Sequence, residues 1–127
     1  MVTFLGFRKD IPDLLLGADV FAIPSLSEGL GSTIVEALMA RTSVVGTNVE
    51  GIPELIEHMR TGLLVPPSDP EALFQGFVAL RDQSDLRELV ALNGYSWATE
   101  KFTPQVMVSQ TLAVYRKLLL QGAPKVQ

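Results

Sequence analysis

The chain has 127 residues, 47% apolar and 19% charged, which favours one globular domain with a real core over disorder. A net charge of −4 without a Lys/Arg cluster argues against nucleic acid; the absence of Cys and a single histidine, His58, exclude disulfides and argue against a zinc site. No apolar run approaches the roughly 20 residues that span a bilayer, and Met1–Gly6 lacks the long apolar segment of a signal peptide. A cytoplasmic chain without membrane association is therefore expected.

In chain order, Val2–Leu5 reads as a strand. Asp10 is placed to cap a short helix with Pro12 in its first turn, running to about Leu16. Val20–Ile23 reads as a second strand stopped by Pro24, and Gly31–Ala40 as a helix with apolar Ile34, Val35, Leu38 and Met39. Ser43–Gly46 is a third strand, Ile52–His58 carries a short helix, and Gly62–Val65 is a fourth strand closed by Pro66-Pro67. Asp69-Pro70-Glu71 combines a cap, a proline at the first position and a first-turn acid, which predicts a helix to about Arg81. Further helices fill roughly 85–100 and 104–121, the latter capped by Thr103, with Val108, Leu112, Tyr115 and Leu119 at helical spacing. Residues 122–127 are expected to be a frayed tail.

Apolar strands that alternate with helices imply an α/β fold, a Rossmann-like parallel sheet with helices on both faces. Ligands of such sheets bind outside the carboxyl ends of the strands. Three loops leave those ends: Pro24–Gly31, Thr47–Pro53 and Pro66–Asp69. The first carries the most informative pattern: strand, Pro-Ser, Glu28-Gly29-Leu30-Gly31, helix, then Glu36. A helix start offers free N–H groups and a positive dipole end to an anion. Glu36 lies on the helical face of Ser32 and Thr33, about one turn or roughly 5 Å further on. That offset suits a ribose attached to phosphates held at Ser32 and Thr33. The plain alternatives are a solvated helix acid at Glu36, a loop acid at Glu28, and ordinary turn glycines at Gly29 and Gly31.

The ordered run Asp10-Ile11-Pro12, Ala18-Asp19-Val20-Phe21-Ala22-Ile23-Pro24-Ser25, Ser27-Glu28-Gly29, Glu36-Ala37-Leu38-Met39-Ala40, Gly51-Ile52-Pro53-Glu54 and Thr61-Gly62-Leu63-Leu64-Val65-Pro66-Pro67-Ser68-Asp69-Pro70-Glu71 resembles the C-terminal domain of GT-B-fold retaining glycosyltransferases. These are the group 1 sugar transferases related to sucrose and glycogen synthases. The resemblance implies a partial GT-B C-terminal, nucleotide-sugar-binding domain over residues 1–121. It implies that Glu28 is the catalytic carboxylate facing the donor sugar. It places Gly29, Leu30 and Gly31 at sugar hydroxyls, Ser32 and Thr33 near the diphosphate, and Glu36 on the ribose. The donor substrate would be a nucleotide-diphosphate sugar, with no cofactor and no metal. The family more often has Gly-Gly where this chain has Glu50-Gly51, and a carboxylate there would repel a diphosphate, so Glu50 is expected to point away or to weaken binding.

Departure of the leaving group builds negative charge on the diphosphate and positive charge on the sugar. N–H dipoles stabilise the first and a carboxylate the second. The family's diphosphate-gripping basic pair and its N-terminal acceptor domain have no counterpart here, so the chain is expected to be a fragment, inactive alone. Arg8 and Lys9 read as exposed charges. In the strand order 3-2-1-4-5-6, Val2–Leu5 would be the third strand and Val20–Ile23 the fourth. Val2–Leu5 is then expected to fold beside Val20–Ile23, or two chains to pair edge to edge as a homo-oligomer. The last helix is expected to leave an apolar face exposed. Tyr95 and Trp97 read as packing residues and His58 as a surface residue at a helix end. A non-catalytic binding or structural module derived from the same fold is the alternative. A receiver-type signalling domain would want acids after the first strand, where Gly6-Phe7-Arg8 offers none.

Overall fold

A computed structural model describes residues 1–121; the tail expected over 122–127 lies outside the described residues. Its centre is one parallel sheet of β1 (Val20–Ile23), β2 (Ser43–Thr47) and β3 (Leu63–Val65), in that spatial order. Phe21 lies opposite Val44, and Val45 opposite Leu63. All five residues of β2 are buried, as expected of a central strand flanked on both edges and both faces. Its side chains alternate between two cores. Val44 joins Leu15, Ile23, Ile34, Leu38, Ile52 and Ile56, whereas Val45 joins Leu63, Val65, Leu80 and Val90.

Helices supply the rest of both cores. α1 (Ile11–Leu16) buries only Leu15. α2 (Ser32–Met39) connects β1 to β2 and buries Ile34, Ala37 and Leu38, the one-sided spacing of an amphipathic helix. α3 (Ile52–Leu55) buries both of its ends, Ile52 and Leu55. α4 (Pro70–Asp82) begins where its cap predicts, with Asp69 Oδ1 accepting the Ala72 N–H at 2.9 Å. Its Gly76 lets it press onto β2: a Cβ there would lie 3.0 Å from Val45. α5 (Ser84–Lys101) contributes Val90 to one core and Ala98 to the other. The Arg87 guanidinium donates to the Leu80 and Arg81 carbonyls and so closes the end of α4. α6 (Pro104–Gln121) starts at Thr103, whose hydroxyl accepts the Val106 N–H at 3.2 Å.

Four expectations need correction. Val2–Leu5 is not a strand and does not lie beside β1; Val2 and Phe4 are 83% and 94% exposed. An apolar run becomes a strand only with a ladder to satisfy its backbone groups, and among the described residues β1 pairs with β2 alone. Asp10 does not cap α1; its carboxylate is turned onto the Arg8 guanidinium instead. That pairing holds the Asp10 carboxyl below its ordinary value and raises Arg8. The helix expected over 52–58 ends at Leu55, because Ile56 is extended. His58 therefore lies beyond the helix, exposed, with Nδ1 accepting the Leu64 N–H at 3.0 Å. Trp97 packs at 5.0 Å from Phe102, and the Arg41 guanidinium sits 4.3 Å over the Tyr95 ring, as packing roles require.

Candidate functional site

The carboxyl ends of the three strands open onto the three loops expected there. Thr47, the last residue of β2, donates its hydroxyl to the Ser25 carbonyl at 2.5 Å and so ties the first loop to the sheet. The Asn48 N–H donates to the Val65 carbonyl at 2.8 Å, which continues the β2–β3 ladder into the second loop. A hollow of about 210 Å³ lies among Pro24, Leu26, Thr47, Pro66, Ser68 and Asp69 and draws on all three loops. Thr47, which the sequence shows only as the first residue of the second loop, is buried at the end of β2 and forms part of this hollow.

Within the first loop, Glu28 is half-buried and folds back on its own turn. Its Oε1 accepts the Gly31 N–H at 3.1 Å. Gly31, at φ 59°, supplies the left-handed step that turns the chain into α2, and a Cβ there would strike Ile34 Cδ1 at 2.9 Å. No side chain caps the start of α2. Ser32 and Thr33 are exposed at that start, and Leu30 beside it is 65% exposed. The junction thus presents backbone N–H groups and the positive end of the helix dipole next to a carboxylate.

The second loop docks on the first through its backbone. The Gly51 N–H donates to the Glu28 carbonyl at 3.2 Å. The approach is so close that a Cβ at Gly51 would lie 2.3 Å from the Gly29 carbonyl oxygen. Glu50 turns its side chain onto the first loop. Its Oε2 accepts the Glu28 N–H at 2.7 Å and the Ser27 hydroxyl at 2.8 Å.

Glu28, Gly29, Leu30, Gly31, Ser32 and Thr33 therefore lie together on one turn and helix start. Glu36 is exposed one turn further along α2 and borders a separate hollow of about 290 Å³ with Pro12, Leu15, Leu16 and Met39. Among the described residues no cluster of three or more His, Asp or Glu could hold a metal ion. No helix among them is long and apolar enough to cross a membrane.

Comparison with known proteins bears on this geometry. The family model described as Glycosyl transferases group 1 matches residues 1–83. The chain is 36% identical over 114 residues to the alpha-maltose-1-phosphate synthase of Mycolicibacterium smegmatis, covering 85% of this chain and 30% of that protein. It is 30% identical over 119 residues to the alpha-D-kanosaminyltransferase of Streptomyces kanamyceticus, covering 92% and 31%. Among solved structures, Anabaena Alr3699/HepE in complex with UDP and glucose superposes with a TM-score of 0.83 at 32% identity, over 91% of this chain and 32% of that one. The chain thus spans about 30% of the length of the relatives it matches.

Proposed function

The chain belongs to the glycosyl transferases group 1 family, and from that premise we propose that it forms the donor-binding part of a retaining glycosyltransferase. Its substrate would be a nucleotide-diphosphate sugar, held over the junction of β1 and α2. The uncapped start of α2, with Glu28 turned onto the Gly31 N–H beside it, carries this reading. Backbone N–H groups at Ser32 and Thr33 take the diphosphate, and the helix dipole stabilises the charge that builds there as the glycosidic bond breaks. Glu28 swings from the Gly31 N–H to face the developing positive charge of the sugar. Gly29, Leu30 and Gly31 line the hydroxyls, and Glu36 accepts hydrogen bonds from the ribose. The solved relative in complex with UDP-glucose supports a nucleotide sugar as the ligand class. Residues 1–121 act as one such domain, completed by an acceptor-binding partner domain.

No Lys or Arg lies in the three site loops, Pro24–Gly31, Thr47–Pro53 and Pro66–Asp69. This favours one alternative, a non-catalytic binding module that keeps the fold without transfer.

Calorimetric titration of the chain with UDP, GDP, ADP and their sugar conjugates tests the donor reading. One nucleotide is expected to bind. Glu36→Ala removes an exposed charged acceptor and is expected to weaken that nucleotide roughly tenfold, the effect of losing one hydrogen bond to a charged group, while leaving the thermal midpoint in place. Failure of every nucleotide to bind a folded sample refutes the reading for this chain.

A further inference from the structure

We propose that Glu50 is a positioning residue, whose carboxylate clamps Ser27-Glu28-Gly29 in the conformation that presents the Glu28 side chain and the following amides to a nucleoside-diphosphate sugar. The proposal rests on the donor-site reading above but concerns a side chain that reading does not use.

One oxygen carries the clamp. Glu50 Oε2 accepts from the Ser27 hydroxyl at 2.8 Å and from the Glu28 N–H at 2.7 Å. Both donors belong to the loop after β1, and the acceptor belongs to the loop after β2. Bonds to an ionised acceptor are the stronger class, and two converging on one oxygen fix both the peptide and the side chain of the segment. The backbone agrees with the side chain. Gly51, next in sequence, donates to the Glu28 carbonyl at 3.2 Å and leaves room for the Gly29 carbonyl, so both loops meet over the same three residues.

Glu50 does this from an unfavourable backbone position. Its φ is 41°, in the left-handed region that L residues with a side chain rarely adopt. A glycine would sit there without strain. Glycine would supply the turn and no acceptor, so the side chain accounts for a glutamate at this position. Glu50 thus holds the entry of the turn, while Glu28 Oε1 rests on the Gly31 N–H at its exit, the contact that the donor reading has it leave.

The test compares the chain with Glu50→Gln, Glu50→Ala and Glu50→Gly. Amide hydrogen exchange at Glu28 is read by NMR, and affinity is measured for UDP, GDP and ADP. Gln keeps a carbonyl oxygen that can accept both bonds but loses the charge, and is expected to fall between the wild type and Ala in exchange and in affinity. Ala and Gly are expected to exchange at Glu28 roughly tenfold faster and to bind roughly tenfold more weakly, the scale of one charged hydrogen bond at an exposed site. Unchanged exchange at Val44 and Val45 in β2 shows that the fold is intact in each variant. Wild-type exchange at Glu28 in Glu50→Ala and Glu50→Gly overturns the clamp, as does a Gln variant as impaired as Ala. Fast exchange at Glu28 with undiminished affinity overturns the positioning role alone. A wild-type chain that binds no nucleotide overturns the donor reading and with it the positioning role, while exchange at Glu28 still reports the clamp.

Discussion

Gly51→Ala is expected to separate the docking of the two site loops from the integrity of the sheet. Gly51 has φ −75° and ψ −13°, an ordinary right-handed conformation, so alanine meets no backbone penalty there. The obstacle is space. The new Cβ would lie 2.3 Å from the Gly29 carbonyl oxygen and 3.1 Å from its carbon, whereas ordinary contact begins at 3.4 Å. Both neighbours are backbone, so no rotamer change relieves the clash, and one loop must move by roughly 1 Å. That shift breaks the 3.2 Å bond from the Gly51 N–H to the Glu28 carbonyl and draws Glu50 away from its two donors. Overpacking of this kind costs about 1–3 kcal/mol. Exposure of both loops favours the low end, about 1 kcal/mol, or roughly 3–5 °C in Tm for a chain of this size. Calorimetric melting and nucleotide titration are the assays, with Gly29→Ala as the control. Gly29 has nothing within 4 Å of an added Cβ, so its Tm is expected to move by less than about 0.5 kcal/mol equivalent. Wild-type melting and wild-type affinity for Gly51→Ala would refute the docking of the loops.

Gly94→Ala tests the packing of α5 on α2. Its Cβ would lie 2.6 Å from Leu38 Cδ2 and 3.0 Å from the Thr61 carbonyl oxygen. Overpacking of about 1–3 kcal/mol outweighs the ~1 kcal/mol helix-propensity gain of alanine, so chemical denaturation is expected to show a net loss, and a stabilised variant would contradict the packing. The Asp82 carboxyl is held below 3.8 by its hydrogen bonds from Arg81 and by the charge of that guanidinium. Its folded value is depressed, so the stability it contributes is present above the unfolded value near 3.8 and fades as pH falls through the folded value. An NMR titration of Asp82 with a midpoint at or above 3.8 would rule this out. Leu112 and Leu119 on α6 are 44% and 82% exposed, so the chain is expected to self-associate with concentration and Leu119→Glu to reduce it. A clean monomer by sedimentation at all concentrations would dispose of that expectation.

Elements were legible in the sequence where local chemistry fixes them. Asp69 with Pro70 starts α4, and Thr103 with Pro104 starts α6, because a cap and its N–H lie within three residues of each other. The central strand was legible from Ser43–Gly46 because a buried parallel strand is apolar on both faces. Val2–Leu5 failed for the complementary reason. Its residues favour a strand, but a strand is a property of two chain segments, and no apolar pattern names the second one. Asp10 failed by competition. A guanidinium two residues away satisfies its carboxylate better than the α1 amides do, and the sequence reads equally well both ways.

The candidate site divides along the same line. Glu28, Gly31 and the start of α2 are one continuous stretch, so their assembly needs only a turn, and the sequence is enough to place them. Glu50 is 22 residues from the amide it holds. Seen alone, it is an acid near an expected anion, and Coulomb repulsion is the only inference available. The fold gives it a second role, since it brings two donors to within 2.8 Å of one oxygen. What the pair Glu50-Gly51 shares is a requirement set by the other loop. Gly51 must lack a Cβ because the Gly29 carbonyl lies against it, and Glu50 must reach across because Ser27 and Glu28 present donors there. Neither requirement can be stated until the β1–β2 register places the two loops side by side. The glycine and the glutamate are thus complementary halves of one contact, the first permitting the approach and the second holding it.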